Sequence, residues 1–293
     1  MKHLKGSITA LITPFKDGQI DDSAFQTLVE RQIDSGVHGL VPVGTTGESA
    51  TLNDEEHERV IRLCVEAAGG RVPVVAGAGS NNTAYGIAMG QRAQKIGADA
   101  ILAVTGYYNR PNQAGLIAHF TALHDATELP IVIYNIPART VVGLSVDTLA
   151  ELSRLPRVVG VKDATGDLAR VALQRHHCVE GFIQLSGEDM TAVGFNAMGG
   201  RGCISVVSNV TPALCAEMQN ATLEEDFVTA RQNQDRLAPL IDALFSDASP
   251  APTKYALALM GLCTEEVRLP LVEASDTAKT KVCAALEELG LLN

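Results

Sequence analysis

The sequence predicts a (β/α)8 barrel, of the TIM type, that is followed by a helical extension, and three observations support this fold class. Eight short apolar segments rich in Val and Ile recur along the chain. Helical stretches separate them, so that each new segment begins about 20 to 35 residues after the last. After the eighth segment only helical patterns remain. Eight β-loop-α units that close on themselves form this barrel.

The eight apolar segments are predicted to be parallel strands. They lack the alternation of apolar and polar residues that marks a half-exposed sheet, and a continuous apolar run indicates a strand covered on both faces. An open doubly wound sheet is the alternative, but it seldom needs eight strands, and no G-x-G-x-x-G follows the first segment. The segments are residues 7–13, 39–44, 72–77, 98–104, 130–135, 157–163, 182–187 and 202–207.

Helices are predicted between the strands over residues 21–36, 53–70, 83–97 and 112–127. The expected N-caps are Asp21, Asn53 and Thr83, and the expected terminating glycines are Gly36, Gly69 and Gly97. Helical patterns continue from about residue 211 to 293, which is more than one closing helix needs. We therefore predict a catalytic barrel over residues 1–225 and a C-terminal helical extension over residues 226–293 that packs on it.

Charge and composition exclude several classes of function. The 293-residue chain carries a formal net charge of −11, which argues against nucleic acid or an anionic membrane as a partner. Its first apolar run breaks at Pro14, so we expect a strand there and not a signal peptide. The six cysteines form no C-x-x-C pair and predict no metal site. We expect a cytoplasmic enzyme of small molecules that uses no metal or nucleotide cofactor.

Lys162 ends the sixth apolar segment, in VVGVKDATG. The carboxyl ends of barrel strands carry the catalytic groups, and lysine is costly to bury there without a reason. One interpretation is a structural ion pair with Asp163 or another carboxylate. The other is a nucleophile, because desolvation favours the neutral amine that attacks a carbonyl carbon to form a Schiff base. The other lysines fall in predicted termini, helices or loops.

Three further strand ends carry candidate site residues. The fifth segment continues as YNIPART, which places Tyr134 at its end and Arg139 in the next loop. A phenol beside a lysine nucleophile can shuttle protons, and a guanidinium suits a substrate carboxylate. The alternative interpretations are that Tyr134 is only a core residue and that Arg139 is only a solvated loop cation. TGYYNRP places Tyr107 and Tyr108 after the fourth segment, and only one of two adjacent aromatics is expected to pack locally.

The second segment ends in GTTGESATL. Gly44 and Gly47 allow a tight turn with exposed amide groups, and the hydroxyls of Thr45 and Thr46 can donate to a carboxylate. A G-x-x-G turn alone is weak evidence, because it is more often only a turn. Its predicted place at the barrel mouth strengthens the hypothesis of an anion-binding loop.

Six motifs in order resemble those of the dihydrodipicolinate synthase family, within the pyruvate-dependent class I aldolase superfamily. They are GTTGESATL, TGYYNRP, YNIPART, VKDATG, LSGED and GCISV, and the resemblance runs from about residue 6 to 292. It implies a lyase that condenses pyruvate with L-aspartate 4-semialdehyde in the diaminopimelate and L-lysine pathway. It also implies a homotetramer built from two tight dimers.

The resemblance assigns roles by position. Lys162 would form the Schiff base with pyruvate, and Tyr134 would transfer protons beside it. Thr45 would link Tyr134 to a Tyr108 supplied across a dimer interface. Arg139 would bind the semialdehyde carboxylate, and the pyruvate pocket would be lined by Thr46, Gly187 and Ile204.

Related aldolases that cleave N-acetylneuraminate or 2-keto-3-deoxy sugar acids share the lysine and the tyrosine and remain alternatives, as does a non-catalytic binding barrel. Arg139, the paired threonines and the YYNRP loop favour the synthase. The family's lysine-feedback site resembles Ser49, Ala50, Asp54, His57, Asn81, Tyr85 and Tyr107 in this chain. Sensitive enzymes often have glutamate at position 85, so we expect weak or no inhibition by L-lysine. Gly106 also stands where the family commonly has proline, which is expected to loosen the loop.

Overall fold

Eight parallel strands form the barrel in the computed structural model, which describes residues 4–292. The strands of the chain are β1 (Gly6–Ala10), β2 (Phe15–Lys16), β3 (Gln19–Ile20), β4 (Gly39–Val41), β5 (Val75–Gly77), β6 (Ala100–Val104), β7 (Ile131–Asn135), β8 (Val158–Asp163), β9 (Ile183–Ser186) and β10 (Gly202–Ser205). β2 and β3 form a separate antiparallel hairpin. The other eight follow the order β4-β1-β10-β9-β8-β7-β6-β5, and a bridge between Leu40 and Val74 joins the two ends. All eight predicted strands, and the predicted barrel, are confirmed.

Helices connect the strands and continue beyond the barrel. They are α1 (Asp22–Asp34), α2 (Asp54–Ala68), α3 (Thr83–Ile96), α4 (Gln113–Ala126), α5 (Pro137–Thr140), α6 (Val146–Leu152), α7 (Ala169–His177), α8 (Ala192–Ala197), α9 (Pro212–Leu223), α10 (Phe227–Leu244), α11 (Ala251–Leu259) and α12 (Asp276–Glu288). Short 3-10 turns cover Ser49–Thr51 and Val207–Asn209. None of the helices within residues 4–292 combines the length and apolar character that crossing a bilayer requires.

The helix ends follow the predicted capping chemistry with one correction. The side chains of Asp21 and Asn53 accept backbone hydrogen bonds at the starts of α1 and α2. The prediction of Thr83 as an N-cap is wrong, because the side chain of Asn82 accepts from the backbone of Ala84 and Thr83 is already helical. The three predicted glycines, Gly36, Gly69 and Gly97, all have positive φ angles where their helices end.

Side chains on the two faces of the barrel strands form separate apolar cores. The inner core contains Ile8, Val41, Leu102, Val132, Tyr134, Leu185 and Ile204. The outer core lies between the strands and α1 to α6, and it contains residues such as Phe25, Ile61 and Val161. This division follows from the alternation of side chains along a strand. Residues of the inner core near the carboxyl ends of the strands therefore point toward the mouth of the barrel.

The C-terminal helices pack on one side of the barrel. Residues of α9, α10 and α12, including Met218, Ile241 and Val282, share an apolar core with Cys203 of β10. A turn over residues 224–226 separates α9 from α10, which is where the extension is predicted to begin. The division at residue 225 stays a prediction, because this apolar core continues across the turn.

Candidate active site

Lys162 and Tyr134 lie side by side at the inner wall of the barrel. They are paired in register across β7 and β8, and side chains of paired residues point to the same face of a sheet. The Nζ atom of Lys162 lies 4.1 Å from the centroid of the Tyr134 ring. Both residues are almost fully buried, with 6% and 7% of their surfaces exposed. The structure thus brings together the predicted nucleophile and the predicted proton-transfer group.

The ion pair considered between Lys162 and Asp163 does not form. Asp163 points to the other face of β8, where its carboxylate pairs with Arg170 at 3.1 Å and accepts a hydrogen bond from Gln174 at 2.7 Å. Across residues 4–292, no carboxylate lies within salt-bridge distance of Lys162. The purely structural interpretation of Lys162 as the partner of Asp163 is therefore wrong.

Gly187 lies against the side chain of Lys162, and Ile204 belongs to the inner core of the barrel. A Cβ atom on Gly187 would lie only 3.0 Å from Cε of Lys162 and 2.7 Å from Cβ of Ala164. Ile204 is buried in the inner core on β10. A glycine at position 187 thus leaves room for the side chain of Lys162, and the pyruvate pocket stays a prediction.

Two acidic residues that the sequence prediction did not select lie beyond β9. Asp189 is buried, and its carboxylate accepts hydrogen bonds from the backbone amides of Val206 and Val207 at 2.8 and 3.2 Å. Burial raises the pKa of Asp189 and that of its half-buried neighbour Glu188, and the positive charge of Lys162 opposes both shifts. Asp189 anchors the end of β10 next to Ile204. Two adjacent acids directly after a buried strand were the signal in LSGED that could have identified them.

The GTTGE turn presents one threonine to solvent and buries the other. Thr45 is exposed, Thr46 is buried, and the amide of Gly47 donates to the carbonyl of Gly44 at 3.1 Å. No hydrogen bond joins Thr45 to Tyr134 in the described part of the chain. The predicted link through Thr45 therefore stays a prediction.

Tyr108 and Arg139 are both exposed beyond the carboxyl ends of strands, but Arg139 lies in a short helix and not in the predicted loop. Tyr108 has 91% of its surface exposed and a positive φ of 67°. Arg139 lies in the short helix α5 and, among residues 4–292, makes no side-chain hydrogen bond or ion pair. Both side chains thus face solvent, and their predicted roles stay predictions.

The residues of the predicted effector site form two hydrogen-bonded groups. The side chain of Asn81 donates to the carbonyl of Tyr107 at 3.3 Å. The hydroxyl of Tyr85 donates to Asp54 at 2.5 Å, and Arg92 pairs with the same carboxylate at 2.6 Å. Hydrogen bonds from Arg92 and Tyr85 lower the pKa of Asp54 to about 2. The carboxylate at position 54 is thus already neutralised by a cation of the protein.

The other predicted effector residues lie on either side of Asp54 in the sequence. Ser49 and Ala50 belong to the 3-10 turn that follows β4. His57 is buried on α2, and burial lowers its pKa to about 4. A neutral histidine at this position adds no positive charge to the group around Arg92.

A second lysine is buried, although the sequence prediction placed it among the ordinary helix and loop lysines. Lys254 lies on α11 and has no exposed surface. Its Nζ lies 2.5 Å from Oε1 of Glu48 and donates to the carbonyl of Glu266 at 2.8 Å. The amine of Lys254 is fully buried and already contacts a carboxylate and a carbonyl, so it cannot reach a substrate. Lys162 and Lys254 therefore differ in their contacts despite similar burial.

The profile of the dihydrodipicolinate synthetase family matches residues 3–289. The chain belongs to this family. The 4-hydroxy-tetrahydrodipicolinate synthase of Parvibaculum lavamentivorans is 60% identical to it over 289 residues, which are 99% of each chain. That of Ruegeria pomeroyi is 61% identical over 98% of this chain and 99% of its own. The crystal structure of dihydrodipicolinate synthase from Aquifex aeolicus superposes with a TM-score of 0.96 at 41% identity, over 98% of this chain and 99% of its own.

Proposed function

We propose that this protein condenses pyruvate with L-aspartate 4-semialdehyde to give 4-hydroxy-tetrahydrodipicolinate, in the pathway to diaminopimelate and L-lysine. The names of full-length relatives at 60% and 61% identity support this activity. The observation that carries the proposal is the placement of Lys162. Its amine lies inside the barrel, against Tyr134 and without a carboxylate partner among the described residues.

The chemistry follows from an amine in that position. The neutral amine of Lys162 adds to the ketone carbon of pyruvate, and loss of water from the carbinolamine leaves an iminium ion. The iminium ion withdraws electrons, so a proton leaves the adjacent methyl group and an enamine forms. The enamine carbon then bonds to the aldehyde carbon of the second substrate, whose oxygen takes up a proton, and the iminium ion forms again. The amino group of the second substrate adds to the iminium carbon and displaces the amine of Lys162, which closes the ring and frees the lysine. These steps move protons, and we assign their transfer to the hydroxyl of Tyr134, whose ring lies beside the amine.

Trapping the imine tests the first half of the proposal. Borohydride reduction in the presence of pyruvate should add the mass of the reduced adduct to the peptide that contains Lys162, as measured by mass spectrometry. Lys162→Ala should abolish the adduct, and Lys95→Ala, which changes an exposed lysine on α3, should leave it unchanged. An adduct on any other residue, or none, contradicts the assignment.

A substrate panel tests the second half. Pyruvate with L-aspartate 4-semialdehyde should give turnover, whereas cleavage of N-acetylneuraminate and of 2-keto-3-deoxy sugar acids should be slower by orders of magnitude. Preferred turnover of a sugar acid would reassign the chain to a related aldolase. An imine without any turnover would favour a binding protein.

We also infer that the chain assembles with copies of itself as a homotetramer. Support comes from the 91% exposure of Tyr108 and its strained positive φ, since a bulky residue in that conformation needs surroundings that hold it. Sedimentation equilibrium should give the mass of four chains. Tyr108→Arg should shift the distribution toward smaller species, whereas substitution of the exposed His176 should leave it unchanged.

We further propose that the reaction needs no metal or organic cofactor. The lysine imine itself supplies the electron sink that such enzymes otherwise obtain from a cofactor. Activity should survive dialysis against a chelator and return to the same value without added metal. Loss of activity that a divalent cation restores would contradict this proposal.

A further inference from the structure

The carboxylate of Glu48 connects the GTTGE turn to the C-terminal extension. Glu48 is the last residue of the turn and is buried, with 4% of its surface exposed. Its Oε1 meets Nζ of Lys254 at 2.5 Å, and its Oε2 accepts the backbone amide of Arg268 at 2.9 Å. Both oxygens are thus held by residues that lie more than 200 positions later in the chain.

Lys254 is fixed at several points. Its amine also donates to the carbonyl of Glu266 at 2.8 Å and lies 4.1 Å from the centroid of the Phe15 ring. Burial lowers the pKa of Lys254, and the negative charge of Glu48 opposes that shift. A charge this deeply buried is stable only beside its partner, so Lys254 and Glu48 hold each other in place.

Arg268 clamps the other side of the turn. Its guanidinium donates to the carbonyls of Thr51 and Gly18 at 3.1 and 3.0 Å and forms a bidentate pair with Glu56 at 2.6 and 2.7 Å. It also stacks 4.3 Å from the centroid of the Phe15 ring. The side chain of Arg268 thus links Gly18, which precedes the turn, to Thr51 and Glu56, which follow it.

The turn requires such support because its backbone is strained at both ends. Val43 has a φ of 50° and Glu48 a φ of 54°, a region that non-glycine residues, and β-branched ones above all, adopt only at a cost. The turn is also closely packed, since a Cβ on Gly77 would lie 2.1 Å from the carbonyl oxygen of Val43. Strained residues persist only where surrounding contacts hold them.

We propose that Lys254 and Arg268 are positioning residues that fix Thr45 and Thr46 at the barrel mouth through the carboxylate of Glu48. The extension thereby contributes to the active site without contacting the substrates. The roles of Thr45 and Thr46 rest on the proposed function, whereas the fixing of the turn does not. Loss of the Glu48 contacts should let the turn move, with the greatest effect on the binding of pyruvate.

The test compares variants of the full-length protein. Lys254→Met alone leaves Glu48 buried and uncompensated and can prevent folding, so the decisive variant is the double substitution Lys254→Met with Glu48→Gln. It replaces the ion pair by neutral side chains of similar size. Leu286→Ala is the matched control, because it removes a buried side chain from α12, in the core of the extension, which is not part of the Glu48 network. Circular dichroism and thermal unfolding establish that each variant folds.

Two measurements are made on each folded variant. In the double variant, hydrogen exchange should become faster in peptides that cover residues 44–51. The KM for pyruvate should rise about fivefold or more, and the KM for the semialdehyde should change less. The control should lower the melting temperature and leave both quantities near their wild-type values. Exchange and KM that match the control would overturn the proposal.

The two proposals fail in different ways. If the wild type lacks synthase activity, the proposed function is wrong, and the exchange measurement still decides whether Lys254 holds the turn. If the wild type is active and the double variant loses turnover without faster exchange in residues 44–51, the positioning proposal is wrong and the proposed function stands.

Discussion

The Nζ atom of Lys162 lies 4.1 Å from the centroid of the Tyr134 ring, and the two residues are register partners on adjacent strands. The ring therefore contacts the amine, and the proposed mechanism assigns proton transfer to the hydroxyl. Tyr134→Phe should keep the ring contact and the fold but lower kcat by about 100-fold or more, the usual contribution of a general acid or base. Steady-state kinetics and the rate of imine trapping check this. A kcat within a few-fold of wild type would remove Tyr134 from the mechanism.

Gly187→Ala should lower the activity by displacing the side chain of Lys162. The added methyl group would lie 3.0 Å from Cε of Lys162 and 2.7 Å from Cβ of Ala164, so the lysine must shift. We expect slower imine trapping and a kcat lowered by about tenfold or more, because small misplacements of reacting groups are costly. Gly166→Ala is the control, since a Cβ there meets nothing within 4 Å, although its φ of 72° adds some backbone strain. Equal trapping rates for the two variants would contradict this account.

Arg139→Ala should weaken the binding of the semialdehyde selectively. Arg139 is exposed on α5 and makes no ion pair among residues 4–292, so its removal leaves no buried group without a partner. A charge-assisted contact with a carboxylate is worth about 1.5–3 kcal/mol, which corresponds to a rise in KM of roughly tenfold or more. The KM for pyruvate should change little. Equal increases in both KM values would refute the carboxylate clamp.

L-Lysine should inhibit this protein weakly or not at all. An amino-acid ligand at the predicted effector site would need an acceptor for its ammonium groups. Tyr85 occupies the position at which a carboxylate is expected, and Arg92 already neutralises Asp54. Initial rates at saturating pyruvate should stay constant as L-lysine is added, and Tyr85→Glu combined with Arg92→Gln should increase sensitivity. Strong inhibition of the wild type at low lysine concentration would contradict the hypothesis.

His57 should make the protein less stable in acid. Burial lowers its pKa from 6.5 to about 4 in the folded state. Between these pH values the unfolded chain binds a proton that the folded protein excludes, so stability is lost as the pH falls. The expected loss is about 3 kcal/mol between pH 7 and pH 4.

Urea unfolding at several pH values measures this effect. The free energy of unfolding should depend less steeply on pH in His57→Gln than in the wild type. His176→Gln, which changes an exposed histidine, should follow the wild type. Parallel pH profiles for the wild type and His57→Gln would show that His57 titrates alike in both states.

The barrel and the pair at its centre could be predicted because both depend on local sequence. A continuous apolar run indicates a strand covered on both faces, and Tyr134 and Lys162 stand near the ends of two such runs. The separation of Lys162 from Asp163 was also predictable, since adjacent residues of a strand point to opposite faces. The N-cap at Asn82 was missed because Thr83 is an equally competent capping residue one position later.

Contacts between distant parts of the chain could not be predicted. The burial of Lys254 depends on Glu48, which lies about 200 residues earlier, and no local pattern marks the two as partners. Asp189 likewise derives its role from the backbone amides of Val206 and Val207 at the end of the next strand.

The ion pair between Glu48 and Lys254 also sets an order of events during synthesis. A ribosome that adds 5–20 residues per second needs roughly 10–40 s to proceed from the first partner to the second. During that time the GTTGE turn lacks the cation that compensates the carboxylate of Glu48. The nascent chain can therefore complete this entrance to the barrel only when translation is nearly finished.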